Sequence, residues 1–142
     1  MQQEVAQRLT AHPGTKAYGR LSILGQYCWD MAMLFSVPRR CFFPPPAVDS
    51  ACVRFIPRTA PPVVVASEAR FFELVKAAFA QRRKTLVNCL STERSLGISR
   101  REVEEAVAAL GLPSAVRGET LSLEQFAALA NLVSDTFGPK SV

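Results

Sequence analysis

The sequence predicts an α/β segment followed by a small all-helical domain, and three observations predict this order. Two short apolar stretches bounded by prolines, residues 30–37 and 50–56, have the composition of β-strands. A connector punctuated by prolines follows at residues 57–66. Beyond the connector, apolar residues recur at helical spacing to the end of the chain.

Two helices are predicted before the first strand. Residues 2–10 and 18–27 have apolar residues at helical spacing, and a turn-forming segment separates them. The second helix is predicted to bury the face that carries Leu21, Leu24 and Cys28. Two helices and two strands would bury little surface as a free domain, so this half is predicted to be the end of a larger sheet.

The segment between the two strands, residues 41–49, is predicted to be a stiff loop. Phe42 and Phe43 stand there immediately before Pro44, Pro45 and Pro46. Successive prolines fix φ and offer no N–H donors, which excludes a place inside a sheet. An aromatic ring on a rigid loop suits stacking on an unpaired base, worth roughly 1–3 kcal/mol. On pattern alone, rings that fill the core beneath the loop are the alternative.

The residues after the connector are predicted to form a small helical bundle. Its helical faces carry Phe71, Leu74, Val75, Ala78 and Phe79, then Val103, Ala106, Val107 and Leu110, then Phe126, Leu129, Ala130, Val133 and Phe137. Capping boxes are predicted at the starts of two helices, formed by Ser99 with Glu102 and by Ser122 with Gln125. Gly111 is predicted to end the helix that Ser99 begins.

Basic residues exceed acidic ones by 17 to 12, which gives a net charge of +5 and suits an anionic partner. The excess is concentrated in residues 76–101, where Glu93 is the single acid. Arg82, Arg83 and Lys84 are consecutive, and on a helix they would span about 200° of arc and could not all turn inward. Such a cluster suits phosphate oxygens. A solvated face is the alternative.

Several other kinds of site are excluded. Cys28, Cys41, Cys52 and Cys89 lack the close spacing of a zinc site, and His12 is the only histidine. Buried thiols and a surface histidine are predicted instead, with no metal site and no cysteine chemistry. The 142 residues hold no glycine-rich cofactor loop, signal peptide or apolar run of the roughly 18–20 residues that a membrane span needs. A cytoplasmic protein is therefore expected.

The chain resembles the ribosomal small-subunit RNA adenine dimethyltransferases in the order and spacing of five runs: QQEVAQRL, AYGRLSILGQY, CFFPPPAVDSACVRFIPR, FFELVKAAFAQRRKTLVNCLS and VRGETLSLEQFAALANL. These enzymes join a Rossmann-like methyltransferase domain to a small helical domain. They use S-adenosylmethionine to dimethylate N6 of two adjacent adenosines near the 3′ end of small-subunit rRNA. The resemblance implies the C-terminal part of the methyltransferase domain at residues 1–58, a linker at 59–66 and a helical RNA-binding domain at 67–142.

The resemblance also implies roles for individual residues. Phe42 matches the aromatic residue that stacks on the flipped adenine, and Phe43 is expected to be a packing residue. The rest of the substrate loop consists of Pro44, Pro45, Pro46, Asp49 and Ser50. Asp49 and Ser50 are expected to hold its shape through hydrogen bonds from side chain to backbone. The positions that match RNA contacts are Arg82, Arg83, Lys84 and Arg117, whereas Tyr18, Gly19 and Arg20 are expected to form a helix start.

The cofactor motif and the catalytic Asn-Leu-Pro-Tyr motif of these enzymes belong to their N-terminal half, and neither is found in this sequence. The resemblance therefore implies a fragment with no catalytic or cofactor-binding residue, which binds no S-adenosylmethionine alone. The expected partner is small-subunit rRNA in an immature small ribosomal subunit, bound by a monomer, with no DNA or membrane partner. The alternatives are a macrolide-resistance-type large-subunit rRNA adenine methyltransferase, a mitochondrial relative that acts as a transcription factor, and a non-catalytic RNA-binding module.

Overall fold

A computed structural model describes residues 1–136 of the chain. The chain divides into two compact units, Met1–Pro62 and Val63–Val142. We call them the α/β unit and the helical unit. The division lies inside the linker expected at residues 59–66. Phe137, a predicted core position of the last helix, lies outside the described residues.

The α/β unit contains two helices and a two-stranded antiparallel sheet. Its elements are α1 at Gln3–Leu9, α2 at Arg20–Cys28, β1 at Trp29–Val37 and β2 at Ser50–Pro57. All four predicted elements are thus confirmed, to within two residues at each end. The register places Trp29 opposite Pro57 and Val37 opposite Ser50, with a β-bulge between Met33 and Phe35. The two strands therefore form a long hairpin whose connecting loop is residues 38–49.

The predicted buried face of α2 is wrong. Leu21 and Leu24 are 39% and 40% exposed, and Cys28 is also exposed. The buried face carries Ile23 and Tyr27 instead, four residues apart, and packs beside α1 and β1. Both sets of positions have helical spacing, so periodicity alone does not choose between them. The helix start follows the sequence: Gly19 is its N-cap, and its N–H donates to Ser22 Oγ at 3.1 Å.

The sheet leaves several large apolar side chains in contact with solvent among the described residues. Leu34, at the bulge, is 52% exposed, and Phe35 is 58% exposed. Trp29 and Phe55 meet edge to face with ring centroids 5.8 Å apart, yet both are more than a third exposed. An exposed apolar surface of this kind commonly marks a place that another element or partner covers.

The helical unit is a four-helix bundle in its described part. Its helices are α3 at Glu68–Ala78, α4 at Leu86–Thr92, α5 at Arg100–Ala109 and α6 at Leu123–Thr136. Short 3₁₀ turns occur at Arg94–Leu96 and Gly118–Thr120. The sequence predicts α3, α5 and α6 but not α4, whose seven residues are too short to show a clear repeat.

The core of the helical unit is formed by the predicted apolar faces and by α4. Phe71, Leu74, Val103, Phe126 and Leu129 are almost completely buried. From α4, Leu86 and Leu90 join them. Phe79 and Leu110, at the ends of their predicted faces, are partly buried. Dense burial of this kind is what holds a small bundle together, at roughly 1.5–3 kcal/mol for each large apolar side chain.

The predicted helix caps are present. Ser99 Oγ accepts from the Glu102 N–H at 3.2 Å, and the Glu102 carboxylate accepts from the Ser99 N–H at 2.7 Å. Ser122 and Gln125 make the same reciprocal pair at 3.2 and 2.9 Å. Gly111 follows α5 with φ of +70°, a left-handed conformation that favours glycine after a helix.

The first residues of the helical unit are tied to its last helix. Asn131 of α6 donates from Nδ2 to the Val64 carbonyl at 2.8 Å, and its Oδ1 accepts from the Ala66 N–H at 2.9 Å. One side chain thus satisfies two backbone groups of a segment that has no secondary structure of its own.

No helix within residues 1–136 has both the length and the apolar character that crossing a lipid bilayer requires.

Candidate nucleic-acid interface

The loop at residues 38–49, which we call the proline loop, is held at both ends by hydrogen bonds. Asp49 Oδ1 accepts from the Arg39 N–H at 2.9 Å, and the Asp49 carbonyl accepts from the Gln3 N–H of α1 at 3.0 Å. The Arg39 guanidinium donates to the Ala47 carbonyl at 3.4 Å. For Asp49 this is the predicted kind of bond, from side chain to backbone. Ser50 acts through its backbone instead, because it begins β2 opposite Val37.

The middle of the proline loop is open to solvent. A 3₁₀ turn at Arg39–Cys41 leads into Phe42, whose N–H donates to the Arg39 carbonyl at 3.2 Å. The Phe42 ring is 43% exposed, and Pro44, Pro45 and Pro46 are exposed. Phe43 is fully exposed, so its predicted packing role is wrong for the part of the chain that the structure describes. The local turn and the prolines hold both rings at the surface of this unit.

The three consecutive basic residues do not lie on a helix. Arg82, Arg83 and Lys84 form the turn between α3 and α4, and all three are exposed. The Lys84 N–H donates to the Gln81 carbonyl at 3.1 Å, which closes the turn. Thr85 then caps α4 by accepting from the Asn88 N–H at 3.3 Å. These three residues are therefore not helical, although all three face solvent, as predicted.

The fold places Arg117 beside this turn, although more than thirty residues separate them in the sequence. The Leu86 N–H, at the start of α4, donates to the Val116 carbonyl at 2.7 Å. Gly118 is buried against Ala78, so closely that a Cβ at this glycine would lie 3.0 Å from the Ala78 carbonyl oxygen. Arg117 stands exposed between these two contacts. We call Arg82, Arg83, Lys84 and Arg117 the basic edge.

Few acids neutralise the basic edge. Arg82 Nε lies 3.6 Å from Glu119 Oε2, an exposed pair of the kind that contributes little. Among residues 1–136, Arg83, Lys84 and Arg117 have no ion pair. By contrast, Arg100 and Arg101 of α5 pair with Glu104 and Glu105 at 3.1 and 2.9 Å. Three of the four cations of the basic edge thus lack a carboxylate partner within residues 1–136, whereas the two arginines at the start of α5 are paired.

The profile of the family described as "Ribosomal RNA adenine dimethylase" matches residues 1–135, which is nearly the whole chain. This chain belongs to that family. Curated relatives agree. The chain is 48% identical over 139 residues to "Ribosomal RNA small subunit methyltransferase A" of Geobacillus kaustophilus (strain HTA426), covering 97% of this chain and 47% of the relative. It is 49% identical over 138 residues to the protein of the same name from Pelotomaculum thermopropionicum, covering 97% and 46%.

Two solved structures share the fold of this chain. It matches a dimethyladenosine transferase from Plasmodium falciparum with a TM-score of 0.74 at 23% identity, covering 91% of this chain and 54% of that one. It matches the 23S rRNA methyltransferase ErmE with a TM-score of 0.62 at 26% identity, covering 93% and 52%. The chain thus spans about half the length of the relatives that it matches.

The cysteines of this family member differ from prediction. Cys28 and Cys41 are exposed rather than buried, whereas Cys89 is buried. Burial raises the pKa of the Cys89 thiol, which donates to the Gln81 carbonyl at 3.4 Å. His12 lies at the surface, as predicted. No group of three or more His, Cys, Asp or Glu side chains suited to a metal ion occurs within residues 1–136.

Glu93, the single acid within residues 76–101, has a structural role. Its carboxylate accepts from the Ser95 hydroxyl at 2.9 Å and from the Ser95 N–H at 3.3 Å, and these bonds lower the pKa of Glu93. Glu93 thereby caps the 3₁₀ turn at Arg94–Leu96.

Proposed function

We propose that this chain is the C-terminal, RNA-facing part of an rRNA adenine-N6,N6-dimethyltransferase. The complete enzyme would use S-adenosylmethionine to dimethylate two adjacent adenosines near the 3′ end of small-subunit rRNA. In this proposal the α/β unit belongs to a Rossmann-like methyltransferase domain and the helical unit docks the RNA. The substrate is an immature small ribosomal subunit, and the site of action is the cytoplasm.

The basic edge is the single observation that carries this proposal. Two segments distant in sequence converge there, and neither brings enough acidic residues to cancel the charge. Guanidinium groups form bidentate hydrogen bonds with phosphate oxygens, and an ammonium group adds a point charge. Contacts to the backbone of this kind set the position of a protein on RNA without reading its sequence. Family membership then supplies the kind of nucleic acid.

Phe42 would handle the target base. An adenine stacked among its neighbours must leave the stack before its N6 can react, which costs a few kcal/mol. Stacking on an aromatic ring offsets roughly 1–3 kcal/mol of this cost. The hydrogen bonds of Asp49 hold the two ends of the proline loop, and the prolines fix φ within it. Little conformational entropy is therefore lost when the adenine binds.

Asp49 is unsuited to act as a general base in this reaction. Its Oδ1 already accepts from the Arg39 N–H at the end of the proline loop. A neutral exocyclic amine that attacks a sulfonium needs position and hydrogen bonding more than removal of a proton. Methyl transfer would therefore depend on catalytic groups outside this chain.

The residues of this chain do not fit S-adenosylmethionine. A Rossmann-like cofactor site needs a glycine turn that leads from a strand into a helix. The glycines with positive φ in the described residues, Gly14, Gly97 and Gly111, follow helical elements rather than strands. The two strands present are connected to each other by the proline loop. We assign the chain RNA docking and base positioning only.

The test joins this chain to the N-terminal half of the Geobacillus kaustophilus relative. The fusion should transfer methyl groups from S-adenosylmethionine to adenosines of immature small subunits, mapped by reverse transcription. The 142-residue chain alone should bind the same RNA but show no heat of binding with S-adenosylmethionine in calorimetry. Methyl transfer by the chain alone would overturn the assignment of its role.

The same assay separates the alternatives. Methylation of large-subunit RNA in preference to small-subunit RNA would favour a macrolide-resistance-type enzyme, in line with the likeness to ErmE. RNA binding by the chain, together with a folded but inactive fusion, would favour a non-catalytic binding module.

A further inference from the structure

A cleft of about 540 Å³ lies in the helical unit between α4 and α5. Its apolar lining comes from Ala108, Leu112 and Ala115, together with Val87 and Val107, which are almost completely buried. Its polar groups come from Thr85, Asn88, Arg100, Glu104 and Ser114. A site that combines apolar walls with a few fixed polar groups is the usual form of a site for a small ligand.

The polar groups of this cleft are oriented before any ligand binds. Arg100 Nη1 donates to the Asn88 side chain at 2.8 Å, and Arg100 Nε pairs with Glu104 at 3.1 Å. A guanidinium only donates, so the Asn88 atom that it approaches is the carbonyl oxygen. The Asn88 amide nitrogen then keeps two N–H donors, which have no protein partner within residues 1–136. These donors suit the ring nitrogens and carbonyl oxygens at the edge of a nucleobase.

The cleft adjoins the basic edge where two segments of the chain meet, because the Leu86 N–H donates to the Val116 carbonyl at 2.7 Å. Thr85 lines the cleft and directly follows Lys84. Ala115 also lines the cleft and precedes Arg117 by two residues. A strand whose phosphates lie on the basic edge would therefore carry its bases past the mouth of the cleft. Glu104 pairs with Arg100 and leaves little net charge inside, which disfavours a phosphate and favours a base.

We propose that the α4–α5 cleft binds one unstacked base of the same RNA, beside the phosphates held by the basic edge. This inference rests on the proposed RNA-docking function and adds a base-binding site distinct from Phe42. The Asn88 amide donates to the edge of the base, and Ala108 and Leu112, which are more exposed than Val87 and Val107, contact its apolar surface. The site gives the helical unit a means to prefer single-stranded or looped RNA over a regular duplex.

The test uses the 142-residue chain and a 12-nucleotide single-stranded RNA of mixed sequence. Ala108→Phe fills the cleft and should weaken binding about tenfold, the loss of roughly one stacked base. Ala109→Phe is the matched control, because Ala109 is the next residue of α5, is also exposed and does not line the cleft. It should leave affinity within about twofold of the parent. Circular dichroism checks that both variants fold.

Two further measurements identify what the cleft holds. An RNA with the same backbone but abasic positions should bind the parent about tenfold more weakly, and Ala108→Phe should then cause no further loss. The dependence of affinity on salt should stay unchanged in Ala108→Phe, because no phosphate contact is removed. Asn88→Ala should weaken binding as Ala108→Phe does, with Ser91→Ala, on the same helix outside the cleft, as its control.

The outcomes separate this inference from the function on which it rests. Equal affinities for Ala108→Phe and Ala109→Phe would overturn the base site, and so would a flatter salt dependence in Ala108→Phe, which would indicate a phosphate site. If the alanine triple variant of Arg82, Arg83 and Lys84 still weakens binding, RNA docking stands without the cleft. If neither Ala108→Phe nor the triple alanine variant weakens RNA binding, the docking proposal fails as well.

Discussion

The two units of this chain bury their apolar residues to different degrees. In the helical unit the large apolar side chains of the four helices point inward, and Phe71, Leu86 and Phe126 are completely buried. In the α/β unit the sheet carries comparable side chains, yet Leu34 and Phe35 are more than half exposed. The helical unit thus has a core of its own, whereas the sheet of the α/β unit has apolar surface left over. This difference indicates that the sheet is suited to be covered by further structure, as the proposed larger methyltransferase domain would do.

Replacing a ring in each unit tests this comparison most directly. Phe126→Ala should lower the free energy of unfolding of the helical unit by about 3–5 kcal/mol, because it leaves a cavity in a closed core. Phe35→Ala should change that of the α/β unit by no more than about 0.5 kcal/mol, because its ring already meets solvent. The unfolding of each unit in urea can be measured separately, because the two units have different spectroscopic signals. Trp29, the only tryptophan, reports the α/β unit, and helical circular dichroism mainly reports the helical unit.

The same two variants can be measured in the fusion with an N-terminal half. If the added half covers the sheet, Phe35→Ala should become destabilising by about 2 kcal/mol or more. An unchanged, near-zero effect of Phe35→Ala in the fusion would contradict the idea that this face is covered.

Phe42→Ala should give the next largest effect, on turnover in the fusion enzyme. Loss of roughly 1–3 kcal/mol of stacking corresponds to a drop in rate of about 5- to 150-fold. Phe42→Tyr should keep most of the activity, because its ring still stacks. RNA affinity should change little, since docking depends on the basic edge. A large fall in melting temperature with normal turnover per folded molecule would show instead that Phe42 only packs.

Replacing Arg82, Arg83 and Lys84 together with alanine should weaken RNA binding by the helical unit. Each lost contact with a single-strand phosphate should flatten the dependence of log affinity on log salt by about 0.7. The control variant is Arg101→Ala with Glu105→Ala, which removes an arginine whose charge is already paired and which does not line the α4–α5 cleft. A salt dependence as steep as that of the parent would show that the basic turn is merely solvated.

The smallest expected effect concerns thiol reactivity. Cys41 is exposed beside Phe42, whereas burial raises the pKa of Cys89 and lowers its thiolate fraction at neutral pH. Iodoacetamide should therefore modify Cys41 well before Cys89, as read by peptide mass spectrometry. Raising the pH should speed the reaction of Cys89 only at pH values above the usual pKa range of a thiol. Bound RNA should protect Cys41 in the fusion enzyme if the proline loop meets the substrate.

Most of the fold could be predicted from local patterns. The strands are bounded by prolines, and Ser99 and Ser122 mark helix starts through bonds that span only three residues. The prediction was wrong where the answer depends on distant contacts. In α2, Leu21 with Leu24 and Ile23 with Tyr27 are both helically spaced, and the packing of α1 and β1 selects the second pair. The sequence does not predict α4, because its seven residues are too few to show a clear helical repeat.

The candidate site was predictable only in part. Residue type and the resemblance to the family identified Phe42 and the four residues of the basic edge, whose roles stay predictions. No local pattern indicates that Val116 and Gly118 hold Arg117 beside the turn, because these contacts join residues that are 30 or more positions apart. The α4–α5 cleft was equally hidden, since it requires a helix that periodicity did not indicate.

The hydrogen bonds of Asn131 to the beginning of the helical unit have a practical consequence for cloning. Its side chain bonds to both Val64 and Ala66, which precede the first residue of α3. An expression boundary chosen from helix limits alone, at residue 67, would delete both partners and leave an amide on α6 without them. A boundary at residue 62 or 63 keeps them. For this family member, the useful limit of the recombinant fragment is therefore set by a side chain near its other end.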